Sequence, residues 1–150
     1  MLKTRPGRIS KAPKAWPLVV FSVGGRPLAV KAEEVLSVSP WTDTIPVPSG
    51  TAFVTAVLRR GEDVLPVFDL AAKLRVQVKG SKPLCVIAKR KDGPMAVCID
   101  SDIPALQTVE ASTVKQASGG SDITGFCMVG AEEVPIYSLA TLGLSTGQSR

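Results

Sequence analysis

A proline-centred apolar segment occurs twice in this chain, and the repetition limits its possible folds more than any other feature. Val64-Leu65-Pro66-Val67-Phe68-Asp69-Leu70-Ala71 aligns with Glu133-Val134-Pro135-Ile136-Tyr137-Ser138-Leu139-Ala140. Proline matches proline, β-branched matches β-branched, aromatic matches aromatic, and a helix-capping Asp69 matches a capping Ser138. Upstream, Arg26-Pro27-Leu28-Ala29-Val30 is echoed by Gly93-Pro94-Met95-Ala96-Val97, so the two echoes lie 67 to 69 residues apart. That period is too long for a solenoid and suits one unit used twice within a domain.

Each copy reads as β-structure. Apolar residues fill 54–58 and 64–68, broken only by Arg59-Arg60-Gly61-Glu62-Asp63, the pattern of a hairpin with a glycine-containing loop. Asp69 then caps a short helix over Leu70-Ala71-Ala72-Lys73-Leu74. The segment at 126–132 repeats the strand and its acidic turn, and 139–142 reads as a last short helix stopped by Gly143.

Further strands are expected over 16–23, 27–30, 35–38, 83–89, 95–99, 103–109, 123–129 and 134–137. Gly24-Gly25 and Asp92-Gly93 mark turns, residues 32–34 make at most one helical turn, and 118–121 is expected to be a flexible loop. Residues 40–50 contain Pro40, Pro46, Pro48 and Gly50 and are read as an irregular crossing that carries Trp41. Trp41 suits either a lid over the core or a partner contact. Residues 76–82 are a polar connector between the copies. About ten short strands with little helix imply an all-β fold. With the duplication, this becomes two small SH3-like five-stranded β-barrel subdomains packed on a shared core, with short helices.

The charge distribution narrows the possible partners. The formal charge is +5, but Lys3, Arg5, Arg8, Lys11 and Lys14 account for all of it, leaving 13 basic and 13 acidic residues elsewhere. Residues 1–15 are therefore expected to be a basic disordered tail and 145–150 a flexible end, flanking a neutral domain at 16–144. A neutral domain argues against a nucleic-acid face. No apolar run is long enough to span a bilayer, so no direct membrane insertion is expected.

Histidine is absent, and Cys85, Cys98 and Cys127 each lie in a strand-like run without C-x-x-C spacing. The cysteines read as buried, reduced thiols of a cytoplasmic protein, and neither a zinc site nor another cofactor is expected. No G-x-S-x-G, P-loop or dinucleotide fingerprint is present. Asp100 and Asp102 are the closest carboxylate pair in a strand-like region, and they read as a solvated strand end or turn. The chain is expected not to be an enzyme but to act through its surfaces.

The paired P-[VI]-[FY]-[DS]-L segments, with their order and spacing, resemble the CheW family of chemotaxis coupling proteins. The resemblance covers residues 16–144 and needs no gap from Val35 through Leu70. Met95-Ala96-Val97-Cys98-Ile99-Asp100 is similar to the family's second-half strand, where G-[IV]-x-V-D is usual. It implies a non-catalytic adaptor that couples the cytoplasmic tip of methyl-accepting chemoreceptors to the regulatory domain of a CheA-like histidine kinase at membrane-associated arrays. One subdomain would meet the kinase, and the groove between subdomains would take the receptor tip.

Val35 matches a groove valine of the family, though core packing is an equal reading, and Val38 is its weaker neighbour. The family's N-L-R-G hairpin is altered here, with Gly61 at the arginine position, Glu62 at the glycine, and Arg59 and Arg60 just before it. These residues, with Trp41, form the candidate partner-binding set. The alternative is a small β-barrel that binds nucleic acid or ribonucleoprotein, helped by the basic tail; a hydrolase with an unusual site is remote.

Overall fold

The computed structural model describes residues 15–48, 50, 53–117 and 122–142. Of the expected tail over 1–15, residues 1–14 lie outside them, as do the loop at 118–121, the stop at Gly143 and the end at 145–150, whereas Ala15 already opens the first strand. The strands are β1 (Ala15–Val23), β2 (Arg26–Lys31), β3 (Val35–Pro40), β4 (Thr44–Pro46), β5 (Val54–Arg60) and β6 (Asp63–Phe68). After helix α1 (Leu70–Leu74) come β7 (Leu84–Ala88), β8 (Met95–Ile99), β9 (Ala105–Glu110), β10 (Lys115–Gln116), β11 (Ile123–Val129) and β12 (Glu132–Tyr137).

These strands form two sheets with orders β10-β11-β12-β2-β1-β9 and β4-β5-β6-β8-β7-β3. The fold is all-β with two subdomains, and a short edge strand (β10 or β4) brings each sheet to six strands. The crossing at 40–50 thus contains β4, which pairs only with β5; an edge position tolerates the missing N–H of Pro46.

The duplication holds at the level of register. Val20 faces Ala29 and Ile87 faces Ala96, the same pairing 67 residues on. The bulges at Val54/Ala56 and Ile123/Gly125 are 69 residues apart. So are Gly61 and Gly130, each with φ near +64° at the first position of a two-residue turn between paired residues. Glycine is favoured there because that backbone conformation is costly for a side chain bearing Cβ.

Sequence copy and subdomain nevertheless do not coincide. β2 pairs in parallel with β12 (Ala29 with Ile136), and β8 pairs in parallel with β6 (Ala96 with Val67). Each copy has given its first hairpin to the other, so each sheet is completed by strands from the opposite end of the chain. Three apolar clusters follow. One lies inside the first sheet (Leu18, Ala29, Cys127, Val134, Ile136) and one inside the second (Leu58, Leu65, Val67, Cys85, Ile87, Ala96). The third and largest packs Phe21, Leu28, Phe68, Leu70, Val97, Ile99, Leu139 and Leu142 between the sheets.

The expected cap on α1 is present, with Asp69 Oδ1 accepting from the Ala72 N–H at 3.0 Å. The matching segment at 139–142 is a turn instead of a helix. Its Leu139 N–H donates to Glu34 Oε1 (2.8 Å), and the carbonyls of Leu139 and Leu142 accept from the guanidinium of Arg90. Those groups are therefore taken by side chains from distant loops. Residues 76–82 are likewise more than a polar connector, because Val76 and Val78 pack on the central cluster.

Asp100 is not solvated. It is 3% exposed, and its carboxylate accepts from the N–H groups of Gly24, Gly25 and Lys79, each at 2.8 Å. The Gly24-Gly25 turn is pressed so closely under residue 76 that a Cβ on Gly24 would lie 2.4 Å from Val76 Cγ2. One carboxylate thus joins the β1–β2 turn, the connector and the end of β8. Replacing Asp100 by Ala leaves three donors without their acceptor and is expected to cost about 3 kcal/mol. Asp102→Ala, at an exposed position, should stay within about 0.5 kcal/mol. Urea denaturation of both variants checks the contrast.

Candidate partner-binding surface

All six candidate residues belong to the segment from β3 to the β5–β6 turn, which lies entirely in the second sheet. β3 is its outer strand, paired on one side with β7. Its alternation is inverted: Ser37 and Ser39 are half-buried, while Leu36 (52% exposed) and Val38 (39%) face outward. A strand that turns its serines inward and its aliphatics to water marks a surface that loses free energy when covered. Val35 does not share that face and packs half-buried against the central cluster, which favours its core reading.

The hairpin comes to β3 through Arg60, whose Nη2 donates to Ser37 Oγ at 3.1 Å across the opening of the curled sheet. Ala56, Leu58 and Arg60 alternate along β5, and Leu58 points into the interior cluster, so Arg60 continues the inward row. Arg59 points the other way and faces Val64, which is 60% exposed. Gly61 sits at the apex and contributes only conformation. Trp41 packs half-buried on the interior cluster, and its backbone N–H donates to the Pro83 carbonyl at 3.0 Å, one step beyond the β3–β7 ladder. The structure therefore joins Arg60 to β3 through Ser37, leaves Val38 on the opposite, outward face of that strand, and packs Val35 and Trp41 half-buried against the clusters.

Leu36, Ile45 (55% exposed) and Val64 were not among the expected contacts. The period-two relation of Leu36 to Val38 was the available signal, but ordinary patterning would have turned both inward. In the first sheet, Leu106 on outer strand β9 and nearby Ile103 are exposed at 71% and 86%. By register Leu106 is the counterpart of Val38, since Val19 faces Leu106 and Val86 faces Val38.

Where α1 meets the first sheet, a small open cleft of about 200 Å³ is lined by Arg26, Pro27, Leu74, Glu132, Pro135 and Tyr137. Burial raises the Tyr137 phenol above its ordinary range. Ion pairing and hydrogen bonding tie the seam at several points. Lys73 on α1 lies 3.2 Å from the buried Asp122 carboxylate and 5.5 Å above the Phe53 ring. Glu34 and Arg90 hold the turn at 139–142 from both sides. Among the described residues, no three His, Cys, Asp or Glu side chains are grouped to hold a metal, and no helix is long and apolar enough to cross a membrane.

The family model for the CheW-like domain matches residues 17–141. The chain belongs to the CheW-like family. A crystal structure of the scaffolding protein TtCheW from Thermoanaerobacter tengcongensis is similar in fold, with a TM-score of 0.72 at 14% identity over 86% of this chain and 92% of that one. No curated protein sequence matches this chain. The CheW-like assignment accounts for the paired sheets and their shared core, while the outward Leu36 and Val38 and the reach of Arg60 to Ser37 are read from this chain's own residues.

Glu34 offers a pH test of the seam. Burial raises its pKa, outweighing the opposing effects of the Leu139 N–H and Lys31. A carboxyl raised in the folded state contributes its stability below the unfolded pKa and loses it as pH rises through the folded value. Glu34→Gln keeps an oxygen for the Leu139 N–H and removes that titration. The parent protein should therefore lose melting temperature relative to Glu34→Gln as pH is raised from about 4 to 7. Parallel melting curves for the two proteins would show no divergence if Glu34 were not linked to folding.

Proposed function

We propose that this protein is a non-catalytic adaptor of a chemosensory complex, working in the cytoplasm at membrane-associated receptor arrays. It would join the regulatory domain of a CheA-like histidine kinase to the cytoplasmic tip of methyl-accepting chemoreceptors. The observation that carries this reading is the inverted strand β3: Leu36 and Val38 face solvent beside the Arg60–Ser37 contact, on a fold belonging to the CheW-like family. An exposed apolar pair on one strand, with an arginine bonded to that same strand, is a composition expected of a protein interface, the aliphatic side chains serving as anchors and the cation setting orientation.

Arg59, Arg60 and Gly61 of the β5–β6 hairpin are assigned to the partner interface as well, Arg59 beside the exposed Val64 and Arg60 through Ser37, with Val35 and Trp41 packed beneath. Residues 16–144 are taken as the binding unit and the basic residues 1–15 as dispensable for it. The neutral balance of the domain outside the tail supports a protein partner over a nucleic acid.

Binding of a CheA-like regulatory domain, followed by titration calorimetry, tests the assignment. The double variant Leu36→Asp/Val38→Asp should bind at least tenfold more weakly, about 1.4 kcal/mol or more, as should charge reversal of Arg59 and Arg60. Met128→Asp, on the outward side of the other sheet, should bind normally. Full-strength binding by both surface variants, with unchanged melting curves, would remove this face from the interface. Retention on nucleic acid that survives moderate salt would favour the barrel-binding alternative, because attachment through the tail alone weakens steeply with salt.

A further inference from the structure

Cys85 and Cys98 are the only two of the three cysteines that the fold sets opposite each other. They are direct partners in the antiparallel β7–β8 ladder, whereas Cys127 faces Val134 in the other sheet. Directly opposed residues project to the same side of a sheet. Here that side is the interior of the second sheet, where Cys85 is 1% exposed beside Ile87 and Ala96. Cys98 is half-buried and so open to a small solute. Opposed Cα atoms in an antiparallel pair are separated by about 4.5 or 5.5 Å, and either spacing lies within the roughly 4.4–6.8 Å that a disulfide spans.

The same row continues on both sides. Ser39 of β3 faces Cys85, and the parallel register of β6 with β8 carries Asp69 to the level of Cys98. The two sulfurs thus lie between the strand that exposes Leu36 and Val38 and the cap of α1.

We infer that Cys85 and Cys98 are a cross-strand redox pair that a peroxide converts to an intramolecular disulfide. Cys98 attacks a peroxide oxygen as its thiolate, yielding a sulfenic acid and, with the thiol proton, one water. The sulfur of Cys85 then displaces the hydroxyl, which leaves with the Cys85 proton as a second water. Two thiols lose two electrons, and the peroxide gains them. The bond ties together the two strands from which β3 hangs and should raise resistance to unfolding. This pairing does not depend on the adaptor reading.

Reactivity should be slow at neutral pH. Burial pushes the Cys85 thiol up to about 11, and burial together with the charges of Cys85, Asp69 and Asp100 pushes Cys98 up to about 12. Thiolate is the attacking species, so oxidation should accelerate about tenfold per pH unit between roughly 7 and 9.

The test treats the folded full chain with hydrogen peroxide at alkaline pH, counts thiols, and maps peptides without reduction. The expected result is loss of two thiols out of three, one Cys85–Cys98 link within the chain, a higher melting temperature and reversal by dithiothreitol. Cys127→Ser should still form the link, and Cys98→Ser should not. Three persistent thiols, a link through Cys127, a bond between chains, or Cys98 oxidised to sulfinic acid without a link would each overturn the inference. Because Cys127→Ser is expected to react like the parent, a folding defect in the Cys98 variant would not shelter the proposal.

Discussion

Two short parallel pairings govern the whole molecule. Ala29-Val30 lies along Ile136-Tyr137, and Ala96-Val97 lies along Val67-Phe68. A parallel pair cannot be closed by a tight turn, and here the partners come from distant parts of the chain. Through these contacts the hairpin β1–β2 becomes part of the sheet made by β9 to β12. The hairpin β7–β8 enters the sheet made by β3 to β6. Neither sequence copy contains a complete sheet, so the two copies cannot separate without tearing ladder hydrogen bonds. The central cluster follows from the same exchange, because the inserted hairpins present Phe21, Leu28, Val86 and Val97 to it from both copies.

Buried polar groups reinforce this arrangement at its ends. The Asp100 carboxylate gathers three backbone N–H groups from the β1–β2 turn and the connector, and Arg90 and Glu34 fix the turn at 139–142 from opposite sides. Each is satisfied by backbone atoms of a different element, the condition under which burying a charge is tolerated. Their distribution along the seam resists relative rotation of the sheets more than a purely apolar contact would, since apolar packing is non-directional.

The duplication was legible because it is written in the apolar pattern: Pro66 and Pro135, Phe68 and Tyr137, Ala29 and Ala96 repeat at nearly constant spacing. The exchange between copies was not legible, for a symmetry reason. If β2 resembles β8 and β6 resembles β12, pairing within a copy and pairing between copies satisfy the same pattern equally well. The buried charges were hidden differently. Asp100 and Arg90 occupy turn-like strings rich in charge, and only tertiary contact reveals that their partners are backbone groups many residues away. At the candidate surface, Arg59, Arg60 and Val38 could be named from sequence. Leu36 could not, because an aliphatic residue alternating with serine is ordinarily the buried one.

The exchange also bears on how two partners could influence one another through such a protein. A hinge needs a few residues that absorb a change in backbone angles while packed surfaces slide or separate. Here the sheets are joined by a common core, by the Asp100 N–H to Ser22 carbonyl bond and by polar side-chain ties at the seam, so opening between them would break all of these together. The two outer strands, β3 with Val38 and β9 with Leu106, are therefore held in fixed relation as register counterparts on different sheets. Coupling between ligands at two such edges would come from the geometry in which the rigid body holds them. In that setting the duplicated fold acts as a spacer with two related but non-identical faces. The non-identity is visible where Lys115 and Glu133 pair at 3.1 Å on the first sheet while the corresponding residues of the second are Ile45 and Val64, exposed and apolar.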